Sequence, residues 1–281
     1  MSILIAALAL GLLGLAFSVL LSFFNKRFAV KVDPRLEQLL ALLPGSNCGA
    51  CGQAGCLGLA EAVLAGKAEV TGCVAGGSAT ATKVAGFMGV SIEAGEDLVA
   101  WVACRAGRTT AKMKYRYEGV DDCQAADLLF GGDKLCSYGC LGLGSCVRVC
   151  PFDAIHVTPE GVALVDKKKC TGCTKCVAVC PRHVISMVPK SQTVLVGCNN
   201  HDRGRRAKEV CDLACTACKI CEKNCPESAI VVTDNLAVID YAKCTECGIC
   251  VEKCPQKTIQ GPKRLAQATP PPPEPEPVAA K

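Results

Sequence analysis

An uninterrupted apolar stretch lies close to the N-terminus. Residues 3–24 contain no charged side chain, and at about 1.5 Å per residue a helix of that length spans the roughly 30 Å hydrocarbon core of a bilayer. A cleaved signal peptide is the alternative, but it has a basic start and an apolar stretch of only about 7–15 residues. Here only Met1 and Ser2 precede the stretch, and no small-residue cleavage site follows it. The pattern favours a permanent anchor over residues 1–29.

Basic residues follow the apolar stretch, at Lys26, Arg27, Lys31 and Arg35. Lysine and arginine stay on the cytoplasmic side of a membrane span. We therefore expect the N-terminus to face out and the chain from about residue 25 onward to lie in the cytoplasm. That compartment is reducing, so the 24 cysteines are expected to be metal ligands rather than disulfides.

After the anchor the polar and apolar positions predict short elements. Residues 34–43 form an amphipathic pattern with proline at its start, and residues 57–69 read as a second helix. With the glycine-rich cysteine loops beside them they predict a small α-rich unit over 30–95. Residues 111–120 alternate in part and predict a strand within a connecting segment, 96–130.

The rest of the chain is a repeat. The segment "CPFDAIHVTPEGVALVDKKKC" returns as "CPESAIVVTDNLAVIDYAKC", offset by about 75 residues, which indicates a duplicated module. We place the two modules at 131–188 and 210–262, with a linker at 189–209. The proline-rich stretch 263–281 has almost nothing to bury and is expected to be disordered. The predicted fold class is α+β: one transmembrane helix, the α-rich unit and two tandem modules.

Each module carries cysteine runs that end in Cys-Pro. A C-x2-C-x2-C-x3-C-P run supplies three thiolates to one [4Fe–4S] cluster, and its fourth cysteine ligates the other cluster of a pair. In the second module this pattern predicts two ligand sets: Cys215, Cys218 and Cys221 with Cys254, and Cys244, Cys247 and Cys250 with Cys225. In the first module it predicts Cys170, Cys173 and Cys176 with Cys150. The partner run there is stretched to C-x3-C-x5-C-x3-C-P, and we assign Cys136, Cys140 and Cys146 with Cys180.

Two further cysteine groups lie outside these runs. Cys48, Cys51, Cys56 and Cys73 stand on glycine-rich loops and suit a single [4Fe–4S] cluster, with zinc as the alternative ion. Cys104, Cys123, Cys198 and Cys211 remain. They complete a sixth set of four, or they are buried as small apolar residues. Five clusters are thus expected from motifs, and a sixth depends on whether this last set comes together in space.

The order of these motifs resembles one known family. An N-terminal anchor, then "CGACGQAGC", then "CSYGCLGLGSCVRVCPFDAI", then a second ferredoxin-like module is similar to the B subunit of the Rnf complex, in its long form. The resemblance covers the chain to about residue 262. It implies an electron-transfer subunit of an ion-translocating ferredoxin:NAD⁺ oxidoreductase in a bacterial or archaeal cytoplasmic membrane. The implied partners are reduced ferredoxin, the lipid bilayer and other subunits, which hold the flavin, NAD and ion sites.

The residues themselves agree with a pure electron carrier. The chain has no G-x-G-x-x-G or P-loop pattern and no nucleophile–base arrangement, so we expect no catalytic residue on it. Its net charge of +5 does not indicate nucleic-acid binding. The alternatives are a polyferredoxin subunit of a different membrane redox complex, and a scaffold in which the metals are structural staples.

Basic residues crowd near the cysteine runs. Small ferredoxins are usually acidic, and complementary charge raises the rate of association. We therefore expect ferredoxin to dock near Lys175, Arg182 and Lys208 and, above all, near a core group of six: Lys167, Lys168, Lys169, Arg203, Arg205 and Arg206. The alternatives are ordinary solvated loops, or contacts with other subunits or lipid headgroups.

Overall fold

The computed structural model describes residues 2–28, 33–93 and 95–261. Its first element is a long helix, α1 (Ser2–Arg27), and the side chains described along it from Leu10 onward are exposed. The window Leu10–Arg27 has a mean hydropathy of 1.3 and no buried part. By length and composition α1 is able to cross a membrane, as the apolar stretch predicts. Of the expected basic flank, Lys31 lies outside the described residues.

A small helical unit follows the anchor helix. Asp33 caps its first helix by accepting a hydrogen bond from the Arg35 N–H at 2.9 Å, and Pro34 occupies the first turn, where no N–H is needed. The core of this unit is formed by Leu39, Leu59 and Val84, packed against the cysteines Cys56 and Cys73. Its elements are α2 (Pro34–Leu42), α3 (Gly55–Leu64), a 3₁₀ turn (Val74–Gly76) and α4 (Gly77–Met88).

The first ferredoxin-like unit is a pair of two-stranded antiparallel sheets with short helices. Its elements are β1 (Leu98–Val102), α5 (Cys123–Leu128), α6 (Ser145–Arg148), β2 (Ile155–Val157), β3 (Ala163–Val165), α7 (Lys175–Val179) and β4 (Ile185–Pro189). The hairpin β2–β3 is the inner sheet, and β1 pairs with β4 so that Leu98 faces Pro189 and Val102 faces Ile185.

The second unit repeats this plan. Its elements are β5 (Leu195–Val196), α8 (Gly204–Val210), α9 (Ile220–Lys223), β6 (Ile230–Thr233), β7 (Leu236–Ile239), α10 (Ile249–Lys253) and β8 (Ile259–Gln260). The strands β6 and β7 form the hairpin, and β5 pairs with β8. In both units a strand from before the cysteine runs thus pairs with the last strand.

The expectations for the two connecting segments and for residues 111–120 require correction. Segments 96–130 and 189–209 are not simple connectors, because they supply the outer strands β1 and β5. Residues 111–120 form no strand and make only isolated bridges, Ala111 with Cys211 and Met113 with Lys134, because neither neighbouring segment continues as an extended partner. The predicted disordered stretch 263–281 lies outside the described residues.

The two ferredoxin-like units contact each other along a seam. The Lys112 N–H donates to the Val210 carbonyl at 3.0 Å, and the Leu135 N–H donates to the Lys112 carbonyl at 2.7 Å. Lys112 therefore links the segment that precedes the first unit's cysteine runs to the segment that precedes those of the second unit. On the other side the Trp101 indole N–H donates to the Val196 carbonyl at 2.9 Å, which joins β1 to β5. The seam therefore brings equivalent parts of the repeat together.

Candidate metal centres

Cysteines line three cavities of similar size in the two ferredoxin-like units. In the second unit one cavity of about 380 Å³ is lined by Cys215, Cys218, Cys221 and Cys254, and one of about 360 Å³ by Cys225, Cys244, Cys247 and Cys250. In the first unit a cavity of about 340 Å³ is lined by Cys150, Cys170, Cys173 and Cys176. The fold thus brings together the four side chains of each of these three predicted sets.

Left-handed turns let the chain curl around each cavity. Thr174, Lys219 and Gly248 have φ of 61°, 59° and 75°, and each immediately precedes one of the short helices α7, α9 and α10. Such a turn directs successive backbone N–H groups into a concave surface that favours negative charge. The N–H groups of Ala154 and Ala229 also donate to the sulfurs of Cys150 and Cys225, at 3.4 and 3.3 Å. The backbone is therefore arranged to receive thiolates carrying negative charge.

The donor geometry fits clusters better than single ions. Four thiolates on one zinc lie about 3.8 Å apart, given a Zn–S bond of about 2.3 Å. Among residues 2–28, 33–93 and 95–261, no three Cys, His, Asp or Glu side chains converge closely enough to hold one metal ion. Burial raises the pKa of Cys176, Cys221 and Cys250 to about 11, so positively charged iron is needed to hold these thiols as thiolates at neutral pH.

The N-terminal set also converges. Burial raises the pKa of Cys73, and the nearby thiols of Cys56, Cys51 and Cys48 raise it further. The Asn47 side-chain oxygen accepts a hydrogen bond from the Cys56 N–H at 2.8 Å and ties the cysteine loop to the start of α3. The other three predicted side chains therefore lie near Cys73.

The stretched run is where the structure differs from the predicted grouping. Burial raises the pKa of Cys146 to about 12, and the neighbouring thiols of Cys140, Cys123, Cys180 and Cys176 add to that rise. Cys123, and not Cys136, is thus among the thiols that lie near Cys146.

The cause of this exchange is a hydrogen-bond network at the start of α5. Asp122 caps α5 by accepting from the N–H groups of Gln124 and Ala125 at 2.8 and 3.0 Å. Its carboxylate also pairs with Arg148 at 2.7 Å, and the Cys123 N–H donates to the Ser145 hydroxyl at 2.8 Å. The network holds the first residue of α5 against α6, which carries Cys146.

Cys136 lies instead with three of the four cysteines that the motifs left over. A cavity of about 380 Å³ is lined by Cys104, Cys136, Cys198 and Cys211, with Lys134 and Asn200 beside them. The expected fourth member, Cys123, is not part of this group.

A signal for this grouping was present in the sequence. Cys136 stands four residues before Cys140, as Cys211 does before Cys215. Aligning the repeat on this C-x3-C spacing makes Cys136 the counterpart of Cys211 and leaves the stretched run one ligand short.

The structure gives the predicted docking residues different surroundings. Lys167 is half-buried, its amine donates to the Gln192 carbonyl at 2.5 Å, and burial lowers its pKa. Arg182 is buried too, paired with Asp127 at 2.8 Å. These two cations are therefore structural rather than free surface charges.

The remaining charges of the core group stay exposed. Lys168 and Lys169 are exposed, and Lys169 lies 3.6 Å from Asp153. Arg203, at the start of α8, is also exposed. Arg205 and Arg206 extend from α8 and pair with Glu209 at 3.4 and 3.7 Å. Two exposed basic surfaces thus remain, one at Lys168 and Lys169 and one on the outer face of α8, and the second is the larger.

Models of known families match these regions. A putative Fe-S cluster family matches residues 43–75, and 4Fe-4S dicluster domains match residues 135–187 and 214–259, with a further one overlapping both at 169–229. Together with the paired sheets and the four-cysteine cavities, these matches define an iron–sulfur protein of the ferredoxin class, with its dicluster domains in tandem.

Curated relatives make the identification more specific. The B subunit of the ion-translocating oxidoreductase complex of Methanosarcina acetivorans is 43% identical over 86% of this chain and 92% of its own. The B subunit of the sodium-translocating ferredoxin:NAD⁺ oxidoreductase complex of Acetobacterium woodii is 43% identical, over 86% of this chain and 73% of its own. The proton-translocating counterpart from Clostridium ljungdahlii is 40% identical, over 82% and 81%. The chain belongs to this family, the B subunits of the ion-translocating (Rnf) oxidoreductase complexes.

Proposed function

We propose that this chain is the membrane-anchored electron-transfer subunit of an ion-translocating ferredoxin:NAD⁺ oxidoreductase. It accepts electrons from reduced ferredoxin and passes them to other subunits of that complex. The observation that carries the proposal is the series of four-cysteine cavities in two tandem dicluster units. Two of the similar proteins are named as B subunits of ferredoxin:NAD⁺ oxidoreductase complexes, which supplies the donor and acceptor.

Five [4Fe–4S] clusters follow from the motifs as the fold groups them. Iron–sulfur clusters of this kind carry single electrons when bound. The proposed ligand sets are Cys48/Cys51/Cys56/Cys73, Cys123/Cys140/Cys146/Cys180, Cys150/Cys170/Cys173/Cys176, Cys215/Cys218/Cys221/Cys254 and Cys225/Cys244/Cys247/Cys250.

The second unit is the better candidate for the point where electrons enter. Cys218 and Cys247 are exposed, one in each of its two sets, whereas Cys140, Cys146, Cys173 and Cys176 in the first unit are buried. Electron transfer weakens steeply with distance, so a donor protein docked on the second unit approaches its ligands more closely.

The proposed setting is the cytoplasmic membrane of a bacterium or archaeon. Helix α1 inserts in the lipid bilayer, the N-terminus faces out, and the cysteine-bearing units lie on the cytoplasmic side. Lys26 and Arg27 in the last turn of α1 support this orientation. A reporter fused to either end of α1, and assayed from each side of the membrane, tests it.

The test of function uses the full chain, purified anaerobically in detergent. We expect iron and acid-labile sulfide in equal amounts, EPR signals of reduced [4Fe–4S] clusters, and reduction by ferredoxin that was itself reduced beforehand. Zinc in place of iron, or iron that does not cycle at low potential, would identify a metal-stapled scaffold. Clusters that only artificial reductants reduce would point to a different redox complex.

A further inference from the structure

The cavity on the seam is built from symmetry-related halves of the repeat. Cys104 and Cys198 each stand two residues after an outer strand, β1 and β5. Cys136 stands four residues before Cys140, and Cys211 stands four residues before Cys215. Each unit thus contributes two thiols from equivalent positions, and the four meet where the units touch.

The seam cavity has the size of its neighbours, and three of its four cysteines are buried. Its volume of about 380 Å³ equals that of the largest ferredoxin-like cavity, which is lined by Cys215 and its partners. Cys104, Cys136 and Cys211 have only 6–7% of their surface exposed. All four thiols line this one cavity, just as the four thiols of each of three ferredoxin-like sets line theirs.

The lining of the cavity suits a group with negatively charged sulfurs. The Asn200 side-chain amide lies 3.6 Å from the Cys136 sulfur, and the N–H groups of Asn200 and Cys215 both donate to the Cys198 sulfur at 3.4 Å. Lys134, 1% exposed, also lines the cavity, and its amine donates to the Ala106 carbonyl at 2.9 Å. Burying an ammonium group is costly unless something negative offsets it.

We propose that Cys104, Cys136, Cys198 and Cys211 ligate a sixth [4Fe–4S] cluster, which connects the two ferredoxin-like units. The proposal deepens the electron-transfer function proposed above and rests on it. Cys104 is an electrostatic neighbour of Cys140, and Cys198 a neighbour of Cys215, so the seam lies between a ligand set of each unit. When bound, the cluster would gain one electron as a cluster in one unit is oxidised and lose it as one in the other unit is reduced, with no proton or group transferred.

The test measures the iron content of single and double Cys→Ala variants of the full chain, purified anaerobically. Six clusters predict about 24 iron atoms per chain and five predict about 20. Each of Cys136→Ala and Cys198→Ala alone is expected to remove about four. The double variant Cys136→Ala/Cys198→Ala should also lose about four, because both residues serve one cluster. The matched pair Cys136→Ala/Cys180→Ala should lose about eight, since Cys180 serves another.

The opposite pattern would overturn the proposal. If Cys136→Ala/Cys180→Ala loses only four iron atoms, Cys136 belongs to the first unit's stretched run. If Cys198→Ala loses none, or if the seam holds zinc, there is no seam cluster. These counts do not depend on ferredoxin, so they fail or hold independently of the proposed electron donor.

A milder variant covers the case in which Cys136→Ala fails to fold. Asn200→Ala removes one donor to the Cys136 sulfur, and hydrogen bonds to sulfur raise a cluster's potential. We expect unchanged iron and one cluster that titrates at a lower potential in EPR-monitored reduction. Unchanged potentials for every cluster would count against a cluster at the seam.

Discussion

At the residue scale, Lys134 is a charged side chain that is almost completely buried. It is 1% exposed, its amine bonds to the carbonyls of Ala106 and Gly161 at 2.9 and 3.5 Å, and it lies between the seam cavity and Cys140. Burial raises the pKa of Cys140 to about 11 and the thiol of Cys104 adds to that rise, whereas the positive charge of Lys134 opposes it. A fixed cation here stabilises the more negative, reduced form of a nearby cluster.

We therefore expect Lys134→Met to lower the midpoint potential of at least one cluster. A unit charge a few ångström away contributes a few kcal/mol at an effective dielectric constant of about 20, which corresponds to a shift on the order of 100 mV. EPR-monitored redox titration measures it. Lys112→Met, which removes the same charge from an exposed position nearby, is the control and should shift the potentials far less. Equal effects of the two changes would show that burial of the charge does not matter.

At the scale of elements, the short helices α5, α6, α7, α9 and α10 each carry one proposed ligand. Helix α5 has six residues, too few to be stable alone. Its place is fixed by the Asp122 cap, the Asp122–Arg148 ion pair and the hydrogen bond from Cys123 to Ser145. The proposed ligand Cys123 depends on this network because it comes from outside the motif run.

Replacing Asp122 by alanine is expected to loosen Cys123 and cost the protein about one cluster, the one shared with Cys140, Cys146 and Cys180. Iron analysis after anaerobic gel filtration would give a loss of up to about four atoms per chain, with the other clusters retained. Asp121→Ala, at the exposed neighbouring position, is the control and should keep full iron. Full iron in Asp122→Ala would mean that the network is dispensable for ligation.

At the scale of the whole molecule, the charge on α8 bears on partner binding. Its inner face packs Ala207 and Val210 into the core beside Cys211, and its outer face carries Arg205 and Arg206, with Arg203 at its start. An acidic ferredoxin docked on this face would lie above the seam.

Ferredoxin-driven reduction is then expected to slow steeply as salt rises, because the Debye length falls to about 8 Å at physiological ionic strength. Reversing the charges of Arg203, Arg205 and Arg206 should slow that reduction at low salt, measured by stopped flow, and leave reduction by a small neutral mediator unchanged. Charge reversal at Lys168 and Lys169, the other exposed basic pair, serves as the comparison. If both donors slow equally with the α8 variant, the effect lies in the clusters and not in docking.

The anchor helix gives a second prediction at this scale. An arginine at the centre of a membrane span costs about 2.5–3.5 kcal/mol on insertion scales. Leu13→Arg should therefore move part of the chain from the membrane fraction to the soluble fraction, and deletion of residues 1–28 should move nearly all of it with cluster iron retained. Leu13→Ala is the control. A chain that stays in the membrane without α1 must be held there by other contacts.

The sequence by itself determined the local features of this protein. The apolar stretch predicted α1, the Cys-Pro runs predicted three of the four-cysteine cavities, and the internal repeat predicted two similar units. These features follow from the spacing of residues that are close in the chain, where backbone geometry leaves few choices.

Only the tertiary structure decided which distant cysteines meet. Cys123 lies 17 residues before Cys140 in the chain. Contacts of Asp122 and Ser145 hold it in the first unit, and no periodicity in the sequence reveals those contacts. Cys104, Cys136, Cys198 and Cys211 converge because β1 and β5 pair with the last strand of each unit and so carry their following residues to the seam. Long-range pairing of this kind depends on the packing of whole units, which a single sequence does not display.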